Sequence, residues 1–260
     1  MKYQSNQSLG NVTLLTIYDA DIQRLENRVG KDRAANTLKA FKQSRKYLGE
    51  FLVGSICRED IELLELTPQF INDFSTWLSA DRGLRGGTVW LATMQLKGVV
   101  TRAHQRGLLT WNPFAGFRQA KNIRPREYLN EEEIGILMQH SFSKPYLTKA
   151  RDIFVLGCFT GLSFVDIQEL SLKAIVVVNG ANWIVSKRHK TKVPFEVKLL
   201  PPAVNIIKKY MRDDNPLIFP GLQYRTLAKQ LKIVMRLCGI QKRISMHCAR
   251  HSFAVMALNR

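Results

Sequence analysis

Apolar residues recur at helical spacing along almost the whole chain, and that period breaks once, between Ala174 and Leu199. In the first half, Ala34, Leu38, Phe41, Leu48 and Leu52 fall three, four and seven apart and share one helix face. Thr67-Pro68, a capping residue followed by Pro at the first helical position, opens a second stripe: Phe70, Ile71, Phe74, Trp77 and Leu78. Val89, Ala92, Leu96, Val99, Val100 and Ala103 form a third, ended by Gly107. Three such stripes predict a small helical bundle. In the second half, Asn130 is placed to cap a helix, with Glu133 reaching back to it. An apolar helix follows around 153–159 and stops near Gly161. Residues 174–178, the Asn179-Gly180 turn and residues 183–188 then read as a β-hairpin, with a third strand over 194–199. Helices are expected over 203–212, 226–237 and from about Met246 to the end. The fold class is therefore mainly α, with a helical first domain and a mixed α+β second domain carrying a small antiparallel sheet.

At 260 residues the chain has room for two domains. The break is placed in Gly116-Phe-Arg-Gln-Ala-Lys-Asn-Ile-Arg-Pro-Arg126, a basic stretch without periodicity. The expected organisation is a tail over 1–14, a helical domain over 15–115, a linker over 116–126 and a second domain over 127–260. Charge divides unevenly across that break. Residues 1–120 hold 16 basic and 11 acidic residues, whereas residues 121–260 hold 23 and 10. The total, a net charge of +18, points to a polyanionic partner, and nucleic acid is the commonest one. The outward helix faces carry Lys39, Lys42, Arg45, Lys46, Lys97, Arg102 and Arg106. Of these Arg45, Lys46, Lys97 and Arg102, together with Arg118 in the linker and Arg243 ahead of the last helix, are the candidates for phosphate contact. For any one of them an ordinary solvated surface is an equal alternative.

No stretch approaches the roughly 18 uninterrupted apolar residues of a membrane span, and the amino terminus lacks a signal peptide's apolar core. Cys57, Cys158, Cys238 and Cys248 are far apart and form no CxxC pair, which argues against structural zinc or a disulfide framework. A reduced, cytoplasmic setting is expected.

The string richest in chemistry is Ser245-Met-His-Cys-Ala-Arg-His-Ser-Phe-Ala254. His247 and Arg250, three apart on a predicted helix, project to one side, as proton handling and charge stabilisation on a phosphate require. His247 and His251 are also spaced as in zinc helices of the HExxH type, but Cys248 stands where that motif needs Glu. No metal is expected.

HxxRHSFA, here His247 to Ala254, resembles the signature of the tyrosine recombinases, the phage-integrase family. Thr160-Gly-Leu-Ser-Phe-Val-Asp-Ile-Gln-Glu-Leu170 is similar to their first catalytic box, and Lys187-Arg-His-Lys-Thr191 to the segment bearing their catalytic lysine. Leu66-Thr-Pro-Gln-Phe-Ile71, Asn112-Pro-Phe114 and Arg126-Glu-Tyr-Leu-Asn-Glu-Glu-Glu-Ile134 resemble further family phrases, in the family's order. The resemblance runs from about residue 15, and the wording is most similar to integrases of Bacteroides-type mobile elements. It implies a SAM-like core-binding domain followed by a catalytic domain, acting on double-stranded DNA as a site-specific recombinase. A tyrosine hydroxyl attacks a phosphodiester to form a 3′-phosphotyrosyl link, with neither ATP, metal nor another cofactor. It further implies protomers assembling on DNA, as a tetramer when full-length.

Carried over by position, Arg250 matches the second arginine, which grips non-bridging phosphate oxygens. His247 matches the histidine that assists proton transfer. Lys190, with Lys192 as the alternative, matches the lysine that protonates the departing 5′-oxygen, and on a strand both would face the same way. Asp166 matches a supporting acidic position. Two departures stand out. Ser163 occupies the first arginine's place, for which Arg188, two residues before Lys190, is the expected compensation. The chain also stops at Arg260, before the place of the family's nucleophile, so as given it is expected to bind DNA without cleaving it. Tyr210 and Tyr224 precede the motif and are expected to be packing or surface residues. A catalytically silent, integrase-like DNA-binding protein or regulator is the alternative reading.

Overall fold

The Asn179-Gly180 pair decides where helix gives way to sheet. Both residues take positive φ (50° and 75°), the backbone that a two-residue hairpin turn demands. In the computed structural model, which describes residues 12–120 and 127–258, this turn joins β1 (Ile175–Val178) to β2 (Ala181–Lys187). β3 (Pro194–Lys198) pairs antiparallel with β2, giving a three-stranded sheet in the order β1-β2-β3. Register follows Ile175 opposite Ile184 and Ile184 opposite Val197.

The chain divides between Arg124 and Pro125 into two units. The first holds α1 (Leu14–Glu26), α2 (Ala35–Phe51), α3 (Pro68–Ala80) and α4 (Gly86–Gln105). α2 runs on into a wide turn at Leu52–Ile56 that ends where Cys57 takes φ 58°. The three expected stripes lie on α2, α3 and α4, except that Ala34 is the exposed N-cap of α2 and Leu52 opens the wide turn. Thr67, however, makes no side-chain cap, and Pro68 alone marks the start of α3. Helix α1 went unanticipated: Leu14, Leu15, Ile17, Tyr18 and Ile22 bury one of its faces. Phe51, Phe70, Phe74 and Phe114 fill the core, with Phe70 stacked on Phe114 at 6.2 Å between centroids. Asn112 holds that last ring in place, its Oδ1 accepting the Phe114 N–H at 2.9 Å while its amide donates to Thr101 Oγ1 at 3.0 Å.

In the second unit α5 (Glu131–Gln139), α6 (Pro145–Thr160) and α7 (Phe164–Gln168) precede the sheet, and α8 (Pro201–Tyr210), α9 (Tyr224–Leu237) and α10 (Met246–Leu258) follow it. The expected cap at Asn130 forms in both directions with Glu133, each bond at 2.9 Å. α6 is the central helix. Ile153, Phe154, Val155, Leu156 and Cys158 in succession are buried, as befits a helix covered all round. α10 crosses α6 closely because α6 carries glycine at the contact: a Cβ on Gly157 would lie 2.9 Å from that of Ala249, and one on Gly161 would lie 2.6 Å from the Phe253 ring. Leu129 N–H donates to the buried Ser252 Oγ at 2.8 Å and pins α10 from the other side.

Residues 1–11 of the expected tail, residues 121–126 of the expected linker and the last two residues lie outside those described. Among the described residues no helix is long and apolar enough to cross a membrane, and no group of three or more His, Cys, Asp or Glu could hold a metal ion.

Candidate functional site

Gly161 ends α6 in the left-handed conformation (φ 62°) and turns the chain so that Ser163 becomes the N-cap of α7. Ser163 and Asp166 then form a capping box. The Asp166 N–H donates to Ser163 Oγ at 3.3 Å, and both the Ser163 N–H and Oγ donate to Asp166 Oδ2, at 3.2 and 2.8 Å. The same oxygen takes Arg188 Nη1 at 2.8 Å, while Oδ1 takes the His189 N–H at 3.1 Å. Burial works to raise the Asp166 pKa. The donors from His189, Arg188 and Ser163 outweigh it and hold the carboxyl below the usual range, so the group is a fixed negative charge.

Arg188 is held flat as well as paired, its guanidinium lying 4.3 Å from the centroid of the Phe195 ring on β3. The next cation is Arg250 on α10. Its pKa is lowered first by burial and then by the charge of Arg188, with Asp166 acting in the opposite sense. Two guanidiniums thus share the field of one carboxylate, an arrangement short of negative charge and suited to an anion. The α6–α10 glycine crossing is what brings Arg250 to the start of α7.

Residues 188–193 form the turn between β2 and β3 and are not on a strand. The Arg188 N–H donates to Val193 O and the Lys192 N–H to Arg188 O, each at 2.8 Å, and Lys192 takes φ 57°. Strand alternation therefore does not govern Arg188, Lys190 and Lys192, because the left-handed residue breaks the period that would place them on one face. Lys190 is exposed on this turn, next to His189, whose Nδ1 meets Glu169 Oε2 at 2.9 Å. His247 is exposed one helical turn before His251, their rings edge-to-face at 4.9 Å. The structure brings Ser163, Asp166, Arg188 and His189 together through hydrogen bonds, with Arg250 in the field of Arg188 and Asp166; Lys190 follows on the same exposed turn and His247 lies on the same helix as Arg250. His189 and Glu169 were missed in the sequence because an exposed turn carries no periodicity. The capping box was legible as Ser-x-x-Asp. Tyr210 donates to the buried Asp152 at 2.8 Å, and Tyr224 stands edge-on to Phe164 at 5.2 Å, so both are packing or surface residues.

The other candidate cations divide by what they hold. Arg45 pairs with Asp19 through Nε and Nη2, both at 2.9 Å. Lys97 Nζ donates to the carbonyls of Ala115 and Phe117 at 3.0 and 2.7 Å, and Arg102 Nε to Asp21 at 2.7 Å. Lys46 is exposed, 4.0 Å from Glu50. Arg118 and Arg243 are exposed, and the Arg243 backbone N–H donates to Glu127.

Two family models match the chain: a phage integrase SAM-like domain over residues 13–123 and the phage integrase family over residues 127–260. No curated protein matches it. Among solved structures, a Tn1549 transposon integrase in complex with circular intermediate DNA is 15% identical, with a TM-score of 0.74, over 95% of this chain and 87% of that one. A lambda integrase tetramer bound to a Holliday junction is 18% identical, with a TM-score of 0.75, over 100% and 79%. XerH recombinase bound to a palindromic difH substrate is 17% identical, with a TM-score of 0.69, over 91% and 73%.

Proposed function

The chain belongs to the phage integrase family, the tyrosine recombinases, and from that premise we propose that it binds double-stranded DNA as a site-specific recombinase. The carrying observation is the pair of arginines, 188 and 250, arranged about Asp166. A scissile phosphodiester set against them places its two non-bridging oxygens on guanidinium N–H groups as negative charge builds there. In the chemistry proposed, a tyrosine oxygen attacks phosphorus, forming the 3′-phosphotyrosyl bond and breaking the bond to the 5′-oxygen. Lys190 supplies the proton that oxygen takes up, and His247 handles the proton of the attacking hydroxyl. Asp166 positions Arg188, and Arg188 takes the part left vacant by Ser163. Protomers assemble on paired sites, a tetramer being the expected end state.

A silent DNA-occupying protein is the second reading. It is favoured by Ser163, which is spent on the cap of α7 and carries no charge to the phosphate.

The test is duplex binding by fluorescence anisotropy across a salt series. The wild-type affinity should fall steeply with salt, because each phosphate neutralised releases condensed counterion. Arg250→Ala and Arg188→Ala should each flatten the slope by about 1. Wild-type affinity indifferent to salt overturns the proposal. On a four-way junction, mass photometry should show more than one protomer bound.

A further inference from the structure

Asp166, within α7, and Glu169, at its C-cap, stand three apart, so both carboxylates project from one side of that short helix. They grip consecutive residues of the β2–β3 turn. Asp166 takes Arg188 Nη1 on Oδ2 at 2.8 Å and the His189 N–H on Oδ1 at 3.1 Å. Glu169 takes the His189 side chain, whose Nδ1 lies 2.9 Å from Oε2 and 2.7 Å from Oε1. A carboxylate only accepts, so Nδ1 carries the proton. The turn is also closed on itself, by the Lys192 N–H to Arg188 O and the Arg188 N–H to Val193 O, each at 2.8 Å. Lys190 lies between these two sets of bonds. Its ammonium, in contrast, has no hydrogen-bond or ionic partner among the described residues. The root of the side chain is fixed and its tip is left open.

We infer that His189, held by Glu169, is a positioning residue that presents Lys190 to the scissile phosphate. The inference rests on the recombinase reading above and deepens it. The His189 and Glu169 side chains are 48% and 55% exposed, and a pair that open to solvent adds little to global stability. Its effect is therefore local. Without the ring bond the turn keeps Arg188 on Asp166 but loses the anchor nearest Lys190. A loose root must then be ordered each time a phosphate is bound. Histidine suits this place because its backbone N–H and its ring N–H engage two carboxylates at once, across one turn of α7.

The test reads the turn and the duplex separately. Amide hydrogen exchange in peptides spanning 187–194 should quicken about fivefold in His189→Ala and in Glu169→Ala, as loss of one hydrogen bond from a locally opening segment does, with the melting temperature held. His189→Gln keeps a side-chain donor for Glu169 and should restore the protection. Duplex affinity at moderate salt, by fluorescence anisotropy, should fall about threefold in His189→Ala, the cost of ordering one long side chain. Lys190→Met should weaken binding and flatten the salt slope by about 1. Adding His189→Ala to Lys190→Met should then cost nothing more, whereas added to Lys192→Met it should still cost about threefold. A turn as protected in His189→Ala as in wild type overturns the inference. So does an equal loss of affinity in the Lys190→Met background, since His189 then acts without Lys190, or a Lys190→Met slope equal to that of wild type. A wild-type chain that binds no duplex sinks the recombinase reading and the inference with it, a failure that shows before any variant is made.

Discussion

Arg188 reaches Asp166 across the start of α7, its Nη1 2.8 Å from the Oδ2 that also accepts from Ser163. The serine standing in the family's arginine position is thus linked, through one carboxylate, to the arginine proposed above to act in its place. Neither residue is independent of the other. Cap, carboxylate and guanidinium form one hydrogen-bonded unit.

Asp166→Asn should separate that unit from the fold. The folded carboxyl titrates below its ordinary range, so its contribution is full above about pH 4 and is lost as pH falls through the folded-state value. The variant should be less stable than wild type by about 1–2 kcal/mol at pH 7, allowing for solvent on Arg188. The gap should narrow below pH 4. Urea melts at pH 7 and pH 3 measure both, and a gap that widens in acid contradicts the assignment.

Ser163→Ala removes the cap of α7 and should cost about 1 kcal/mol. Ser163→Arg would restore the family's residue in name, yet it also loses the cap. It adds a third guanidinium where Arg188 and Arg250 already share one carboxylate. In the absence of DNA it should therefore be less stable than Ser163→Ala. Thermal melts of the two side by side decide this, and an arginine variant as stable as wild type would refute the repulsion argument.

Lys97→Met tests a cation that the helix surface suggested for DNA. Its ammonium bonds the carbonyls of Ala115 and Phe117, tying α4 to the segment after Phe114. Methionine keeps the stem and deletes the charge, so stability should drop by about 1–2 kcal/mol. The salt slope of duplex binding should be unchanged. A flattened slope without loss of stability would return Lys97 to the phosphate-contacting set.

Much of this was legible in the sequence where one rule acted alone. Asn130 and Glu133 close the capping box their spacing announces, and Asn179-Gly180 turns the hairpin. The boxes around Gly161, Lys190 and Arg250 led to residues that the fold gathers at α7, the β2–β3 turn and α10. Helix α1 escaped because its apolar residues abut the polar amino-terminal stretch, although Thr13 stands at its N-cap. Strand alternation failed at Lys190 because the left-handed Lys192 sits in the turn. Lys97 and Arg102 carry inward bonds for which linear spacing has no signal, since their partners lie 18 or more residues away.

Gly161 is where the site depends on the core. It holds φ 62°, and a Cβ would stand 2.6 Å from Phe253 Cδ1, well inside contact distance. Gly161→Ala combines left-handed strain of about 1–2 kcal/mol with overpacking of about 1–3 kcal/mol, for a loss of about 2–5 kcal/mol. The second part has one source, the Phe253 ring on α10, so Phe253→Ala should relieve it while leaving the backbone strain. The double variant should then lose less than the two single variants summed, with a coupling of about 1–2 kcal/mol by urea denaturation. Simple additivity would mean that α10 slides away from the intruding methyl. In that case Arg250 moves with it, and duplex binding by Gly161→Ala should weaken in step.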